Sequence, residues 1–220
     1  VSCTKFFLLS GSKGRFESYH MTEKAMELYE FRAMYVSLGP LVAKLLKEYQ
    51  CPRIVLDPVM VATSGDKLLQ DDAVDALKSE LIPMADLITP NIPEAAILLE
   101  KKVLDPDTLP AAARELGKLG PKAVFLKSGH IEKNLLVDML FEVGSNATYM
   151  YEYERIKTDN THGTGCTLSS AIAAFMAADY PLQEAVRKAS DYIHEAIAEG
   201  AAYKLGGGHG PVHHFYKLWN

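Results

Sequence analysis

Three short apolar runs, each ending on a polar residue and each separated from the next by helix-patterned sequence, constrain this chain most. They are Arg53-Ile54-Val55-Leu56-Asp57, Leu87-Ile88-Thr89, which Pro90 stops, and Ala123-Val124-Phe125-Leu126-Lys127. Runs apolar at consecutive positions fit strands covered on both faces. Between and before them lie segments of helical period. In Leu41 to Tyr49, Leu41, Val42, Leu45 and Leu46 are interspersed with Lys44, Lys47 and Glu48. Asp71 and Asp72 open a second such segment, with Val74, Leu77 and Leu81 on one face and Pro83 near its end. Glu94 to Glu100 follows, with Pro93 suited to a first turn, and then Leu109 to Leu119, broken by Gly120-Pro121. This alternation predicts an α/β fold, with a mostly parallel central sheet and helices on both faces. In such sheets the ligand crevice lies beyond the C-terminal strand ends. Asp57, Asn91 and Lys127 stand there.

The rest of the chain extends this pattern. Leu135 to Phe141 and Thr148 to Ile156 read as strands joined by Gly144-Ser145-Asn146, a connection too short for a helical crossover and therefore antiparallel. Tyr149, Tyr151 and Tyr153 alternate along the second strand and form one sheet face. Leu168 to Ala178 predicts a buried helix, and Leu182 to Tyr203 a long amphipathic one closed by Gly206-Gly207-Gly208. Thr22 to Val36 reads as a helix, with Ala25, Met26, Tyr29 and Ala33 on one face, and Gly11 to Tyr19 as a loop. No internal repeat, low-complexity tract or linker interrupts the 220 residues, so residues 1–220 read as a single domain.

Composition excludes several classes of function. Hydrophobic residues make up 48% and charged residues 23%, which rules out wholesale disorder. With a formal charge of -5 and no basic stripe, neither nucleic acid nor an anionic membrane is the expected partner. No apolar run approaches the roughly 20 residues of a spanning helix, and the opening VSCTKFFLLSGSKG lacks a signal-peptide cleavage site. Cys3, Cys51 and Cys166 are too scattered for a disulfide framework or a zinc site, and fit a reducing, cytoplasmic setting.

The strongest chemical signal is Asn160-Thr161-His162-Gly163-Thr164-Gly165-Cys166-Thr167, which runs directly into the apolar helix. Glycines allow a tight turn, and a helix start presents N–H groups and partial positive charge. Such a turn suits a phosphate or a developing oxyanion. Cys166 would sit at that helix start, where a thiol ionises more easily. The plainer alternative is a glycine turn entering a buried helix, with the cysteine as core filler. Neither G-x-x-x-x-G-K-[ST] nor G-x-G-x-x-G after a strand occurs, so a bound nucleotide would use another loop.

The other candidates each have a plain structural role as well. Asp57-Pro58-Val59-Met60, followed by Ala62 to Asp66, places a carboxylate near a phosphate or Mg2+, or simply forms a turn. Asn91-Ile92-Pro93-Glu94 can share a water-coordinated Mg2+, or simply cap a helix. Lys127 can meet a phosphate or lie on the surface. His209, His213 and His214 cluster late in the chain without convincing metal-ligand spacing.

DPVMVATSGDKLL (57–69), LITPNIPEAAILL (87–99), FLKSGH (125–130), NTHGTGCTLSSAIAA (160–174) and GHGPVHHF (208–215) occur in this order. From about Leu38 to Asn220 the chain resembles the hydroxymethylpyrimidine/phosphomethylpyrimidine kinases of thiamine biosynthesis, in the ribokinase-like superfamily. The resemblance implies transfer of the ATP γ-phosphoryl group to a hydroxymethylpyrimidine, then to its monophosphate. It also implies Mg2+ as cofactor and a homodimer. Carried over by position, Gly163, Thr164, Gly165 and Cys166 look like the anion hole, with Cys166 facing the acceptor oxygen. Asn91 and Glu94 look like the pair that organises Mg2+ through water, and Lys127, Asp57 and Thr161 like the nucleotide and phosphate side. Val59 looks like part of the acceptor pocket wall. Family members begin with a strand, a glycine-rich segment and a pyrimidine-holding glutamine that have no counterpart here, so N-terminal strands of the fold are expected to be missing. Val1 to Ser10 would then match a later family strand, with Gly11 to Val36 inserted. Two alternatives stay open: a pyridoxal-type kinase of the same branch, and an inactive nucleotide-binding paralogue.

Overall fold

The computed structural model describes residues 6–9, 16–17, 31–60, 71–101, 106–129, 134–205 and 207–219. Seven strands form one sheet: β1 (Phe6–Leu9), β2 (Phe16–Glu17), β3 (Arg53–Leu56), β4 (Leu87–Ile88), β5 (Ala123–Leu126), β6 (Leu135–Glu142) and β7 (Ala147–Glu154). Their order across the sheet is β2-β1-β3-β4-β5-β6-β7. The centre is parallel, with Val55 opposite Leu87, Leu56 opposite Ile88, and Ile88 opposite Val124. Both flanks are antiparallel: β1 against β2 and β3, and β6 against β5 and β7. The three apolar runs therefore form the parallel centre, and the hairpin expected across Gly144-Ser145-Asn146 joins β6 to β7.

Side chains alternate across the strands and fill two layers. One layer gathers Leu56, Ile88, Val124, Leu126, Met139 and Phe141 from the strands. It packs them against α1 (Phe31–Glu48), α2 (Asp71–Ala76), α3 (Ile92–Leu98) and α4 (Leu109–Gly117). The other layer takes the intervening positions Val55, Leu87, Ala123, Phe125, Leu140 and Tyr151, and covers them with α5 (Thr164–Ala177) and α6 (Leu182–Gly200). Phe125 is fully buried and meets Tyr151 edge-on at 5.8 Å. Tyr149, Tyr151 and Tyr153 all pack into this second layer, as their alternation predicts.

The structure differs from the sequence reading in three places. Phe16–Glu17, inside the segment read as a loop, pairs with Leu8 and Leu9 as β2. Thr22 to Val36 and Leu41 to Tyr49 were expected as separate helices, but α1 runs unbroken from Phe31 to Glu48 through Pro40. An interior proline costs a helix roughly 3 kcal/mol; burial of Ala43 and Leu46 just beyond it favours continuation. Residues 22–30, and with them Ala25, Met26 and Tyr29, lie outside the described residues. The segment opened by Asp71 also changes winding, from α2 into a π-helical turn at Leu77–Leu81 and a 3-10 turn at Ile82–Met84. Val74, Leu77, Leu81 and Ile82 are all buried in the core across this change of winding.

Candidate phosphate-transfer site

The parallel topology brings the ends of β3, β4 and β5 side by side, so the residues just after each strand become neighbours. Asp57 follows β3, Thr89 to Asn91 follow β4, and Lys127 follows β5. Asn91 and Lys127 continue the ladder as an isolated parallel bridge. Lys127 Nζ donates to Asp57 Oδ1 at 2.8 Å; the lysine side chain is 12% exposed and the aspartate 3%. An ion pair this deep is costly to break by removing one partner alone. Burial pushes the Lys127 ammonium down, but Asp57, Glu94 and Cys166 around it outweigh that effect and raise it, so it stays charged.

Asn91 and Glu94 form a reciprocal cap at the start of α3. The Glu94 amide donates to Asn91 Oδ1 at 2.9 Å, and the Asn91 amide donates to Glu94 Oε2 at 2.8 Å. The capping alternative is thus real, and it holds both side chains beside the ion pair. Glu94 is buried, and its carboxyl is pushed up to about 7, mainly by desolvation, with Lys127 pulling it down and Asp57 pushing it up.

The glycine turn closes the site from the other side of the sheet. Gly163 caps α5 in the left-handed region at φ 85°, which an L side chain adopts only with strain. The first i→i−4 bond of α5 runs from the Thr167 amide to the Gly163 carbonyl at 2.9 Å. Before it, the Thr164 amide is taken by the Thr161 carbonyl at 3.4 Å, and the Gly165 amide lies in the first turn of the helix. A Cβ built on Gly165 would stand 3.4 Å from Lys127 Nζ, an ordinary van der Waals contact, so the ammonium lies directly beside the helix start. Cys166 is half-buried, not sealed in hydrocarbon, and lies in electrostatic range of Lys127.

Asp57, Asn91, Glu94, Lys127, Gly165 and Cys166 are therefore gathered in one place. Gly163 and Thr164 belong to the same turn. Thr161 is exposed on the approach to it, its carbonyl 3.4 Å from the Thr164 amide. Val59 is half-buried two residues beyond Asp57, its amide bonded to the Asp57 carbonyl at 2.9 Å. Ala62 to Asp66 lie outside the described residues. Among the described residues no group of three or more His, Cys, Asp or Glu side chains is placed to hold a metal by itself, and no helix is long and apolar enough to cross a membrane.

Sequence reasoning missed three groups. Thr89 and Ser169, both fully buried, bond to each other beside Asp57. Asn160 anchors the glycine turn, its Nδ2 donating to the Gly200 and Tyr203 carbonyls at 2.7 Å each. The available signals were a threonine closing an apolar strand, a serine one turn after Gly165, and an asparagine opening the glycine motif. The late histidines take separate tasks. His213 packs between Tyr203 and Trp219, His214 Nε2 meets Thr167 Oγ1 at 2.9 Å, and His209 meets the Asp159 carbonyl.

Residues 35–213 match the phosphomethylpyrimidine kinase family. A hydroxymethylpyrimidine/phosphomethylpyrimidine kinase from Rhizobium meliloti is 45% identical over 168 residues, which cover 76% of this chain and 62% of that protein. The chain thus spans less than two thirds of that relative's length. Among solved structures, a phosphomethylpyrimidine kinase from Clostridium difficile is 32% identical with a TM-score of 0.63, covering 86% of this chain and 82% of its own. An ADP complex of Bacillus subtilis pyridoxal kinase is 28% identical with a TM-score of 0.77, covering 99% and 86%.

Proposed function

The chain belongs to the phosphomethylpyrimidine kinase family, and from that premise we propose that it moves the γ-phosphoryl group of ATP onto 4-amino-5-hydroxymethyl-2-methylpyrimidine, its monophosphate, or both. The observation that carries the reading is the Lys127 ammonium held between Asp57 and Gly165, at the mouth of α5. Phosphoryl transfer asks little covalent chemistry of a protein; it asks for position and for positive potential where charge develops. Lys127 and the positive end of α5 supply that potential from two directions. The acceptor oxygen attacks the γ-phosphorus, the bond to the β–γ bridging oxygen breaks, and ADP leaves. When the acceptor is the hydroxymethyl group, its proton passes to Cys166 as thiolate, in the same turn; the monophosphate attacks through an anionic oxygen and gives up no proton.

Carboxylates suit Mg2+, which keeps several waters and binds through one or two acidic groups together with substrate phosphates. Asp57 and Glu94 offer that donor chemistry, with Asn91 holding Glu94 in place. An ion arriving with the nucleotide would screen the triphosphate. The ADP complex of the pyridoxal kinase relative supports an adenine nucleotide as donor. The pyrimidine acceptor is favoured over pyridoxal because pyrimidine kinases are the more identical relatives, at 45% against 28%.

A coupled ADP-release assay on the 220-residue chain tests this, with the hydroxymethylpyrimidine, its monophosphate and pyridoxal as acceptors, with and without Mg2+. Release stimulated by either pyrimidine and dependent on Mg2+ is expected. Release with pyridoxal alone would move the chain to the other branch, and no stimulation by any acceptor would overturn the kinase reading.

A further inference from the structure

Behind the Asp57–Lys127 pair lies a buried line of oxygens. Thr89 Oγ1 donates to Asp57 Oδ1 at 2.9 Å. Thr89 Oγ1 and Ser169 Oγ are 2.9 Å apart, and Ser169 Oγ lies 3.0 Å from the Gly165 carbonyl. Thr89 and Ser169 are both 0% exposed. The line therefore crosses from the end of β4 to the first turn of α5. It starts on the carboxylate that holds Lys127 and ends on the glycine against which Lys127 rests.

Counting protons gives the line a direction. It has three oxygen–oxygen contacts but only two hydroxyl protons, because an ion-paired Asp57 and a peptide carbonyl both accept only. Thr89 gives its proton to Asp57. Ser169 then has one proton for two acceptors, Thr89 Oγ1 and the Gly165 carbonyl. The chain Ser169 to Thr89 to Asp57 ends on an anion, where each bond strengthens the next. The Gly165 carbonyl is inside α5, whose backbone ladder already provides it with an amide.

We propose that Thr89 and Ser169 are positioning residues for Lys127. Asp57 Oδ1 accepts both the ammonium and the Thr89 hydroxyl. The hydroxyl takes up part of the carboxylate's charge and loosens its hold on Lys127, which stays near Gly165 and Cys166, ready for a phosphate. Without the hydroxyl pair, Asp57 binds the ammonium, already in contact at 2.8 Å, more strongly, and less of its positive potential reaches the helix mouth. This role rests on the phosphoryl-transfer reading, yet it has a consequence that needs no turnover. Cys166 lies in the field of Lys127, so its rate of alkylation reports where the ammonium is.

The experiment compares wild type, Thr89→Val, Thr89→Ser, Ser169→Ala and the Thr89→Val/Ser169→Ala double variant. The first readout is the alkylation rate of Cys166 by iodoacetamide at pH 7.5, followed on its own peptide by mass spectrometry. About a threefold fall is expected for Thr89→Val, recovery for Thr89→Ser, and no further fall in the double variant. The second readout is steady-state kinetics with ATP and the hydroxymethylpyrimidine. Here kcat should drop about tenfold in Thr89→Val with the ATP KM within twofold, and Thr89→Ser should restore it. Denaturation midpoints show whether each variant is folded. An unchanged Cys166 rate in folded Thr89→Val overturns the positioning role. So does a kcat loss that Thr89→Ser does not repair. If wild type turns over no acceptor, the kinase reading fails, while the alkylation arm still decides the fate of the hydroxyl pair.

Discussion

The side chain with most at stake is Cys166, because it stands in the first turn of α5 in electrostatic range of Lys127, whereas His162, the other proton acceptor of the motif, is exposed before that turn. With serine in its place the helix mouth and Lys127 remain, so ATP binding should persist while transfer slows. Cys166→Ser is expected to lower kcat about 100-fold, in the ordinary range for losing a general base, with the ATP KM within twofold. Steady-state kinetics with the pyrimidine acceptor checks this. Glu94 makes a different prediction. Its carboxyl titrates at about 7 in the fold, against 4.5 unperturbed. Between those values the folded state holds more protons than the unfolded chain, so stability falls as pH rises through that window and stays low above it. Glu94→Gln keeps an acceptor for the Asn91 amide without the charge. Its stability gain over wild type should therefore be about 2 kcal/mol larger at pH 8 than at pH 5, measured by denaturant unfolding at both. The sequence showed that Asp57, Asn91 and Lys127 belong together, because strand-end position in a parallel sheet is readable from apolar runs, and Glu94 followed as the partner of Asn91 at a helix start. It did not show Thr89 or Ser169. A buried hydroxyl looks like any strand or helix residue until a partner from 80 positions away lies against it.

At the scale of elements, the start of α5 depends on what fixes it from outside. Gly163 supplies the positive φ, and Asn160 ties the preceding loop to the end of α6. The His162 amide donates to the Gly210 carbonyl at 3.0 Å, docking the late GPV segment on the same loop. Asn160→Ala would leave the Gly200 and Tyr203 carbonyls without their side-chain partner. A loss of about 2 kcal/mol is expected in denaturant unfolding, together with weaker ATP binding by calorimetry. Unchanged nucleotide affinity in a destabilised variant would show that the loop holds the fold but not the mouth of α5. Helices were legible where apolar period and caps coincided. The motif Asn91-Ile92-Pro93-Glu94 is a cap in sequence and a reciprocal cap in space. They were less legible where tertiary burial overrode local chemistry. Residues 31–48, expected to divide between two helices, run as one through Pro40, and nothing local distinguishes the π-turn at Leu77–Leu81 from ordinary helix. β2 escaped because two residues are too few to carry a period.

At the scale of the molecule, the two core layers leave a charged seam where the parallel strands end, and that seam serves both folding and the proposed chemistry. Asp57 and Lys127 satisfy each other there. Lys127→Met leaves Asp57 buried and unpaired, and should cost about 3 kcal/mol or more, enough to mask any effect on ligand binding. Replacing both partners, as Asp57→Asn with Lys127→Met, removes the stranded charge and should recover most of that stability. The two functions then separate. Millimolar ATP with Mg2+ should stabilise wild type by about 1–3 kcal/mol if it exceeds its dissociation constant by ten- to a hundredfold. The double variant, folded but lacking both the ammonium at Gly165 and one of the two carboxylates proposed for Mg2+, should gain little. Thermal unfolding of both proteins with and without nucleotide checks this. A full ligand-induced shift in the double variant would mean that phosphate is held by the first turn of α5 alone, and that Lys127 belongs to the architecture of the seam and not to the nucleotide.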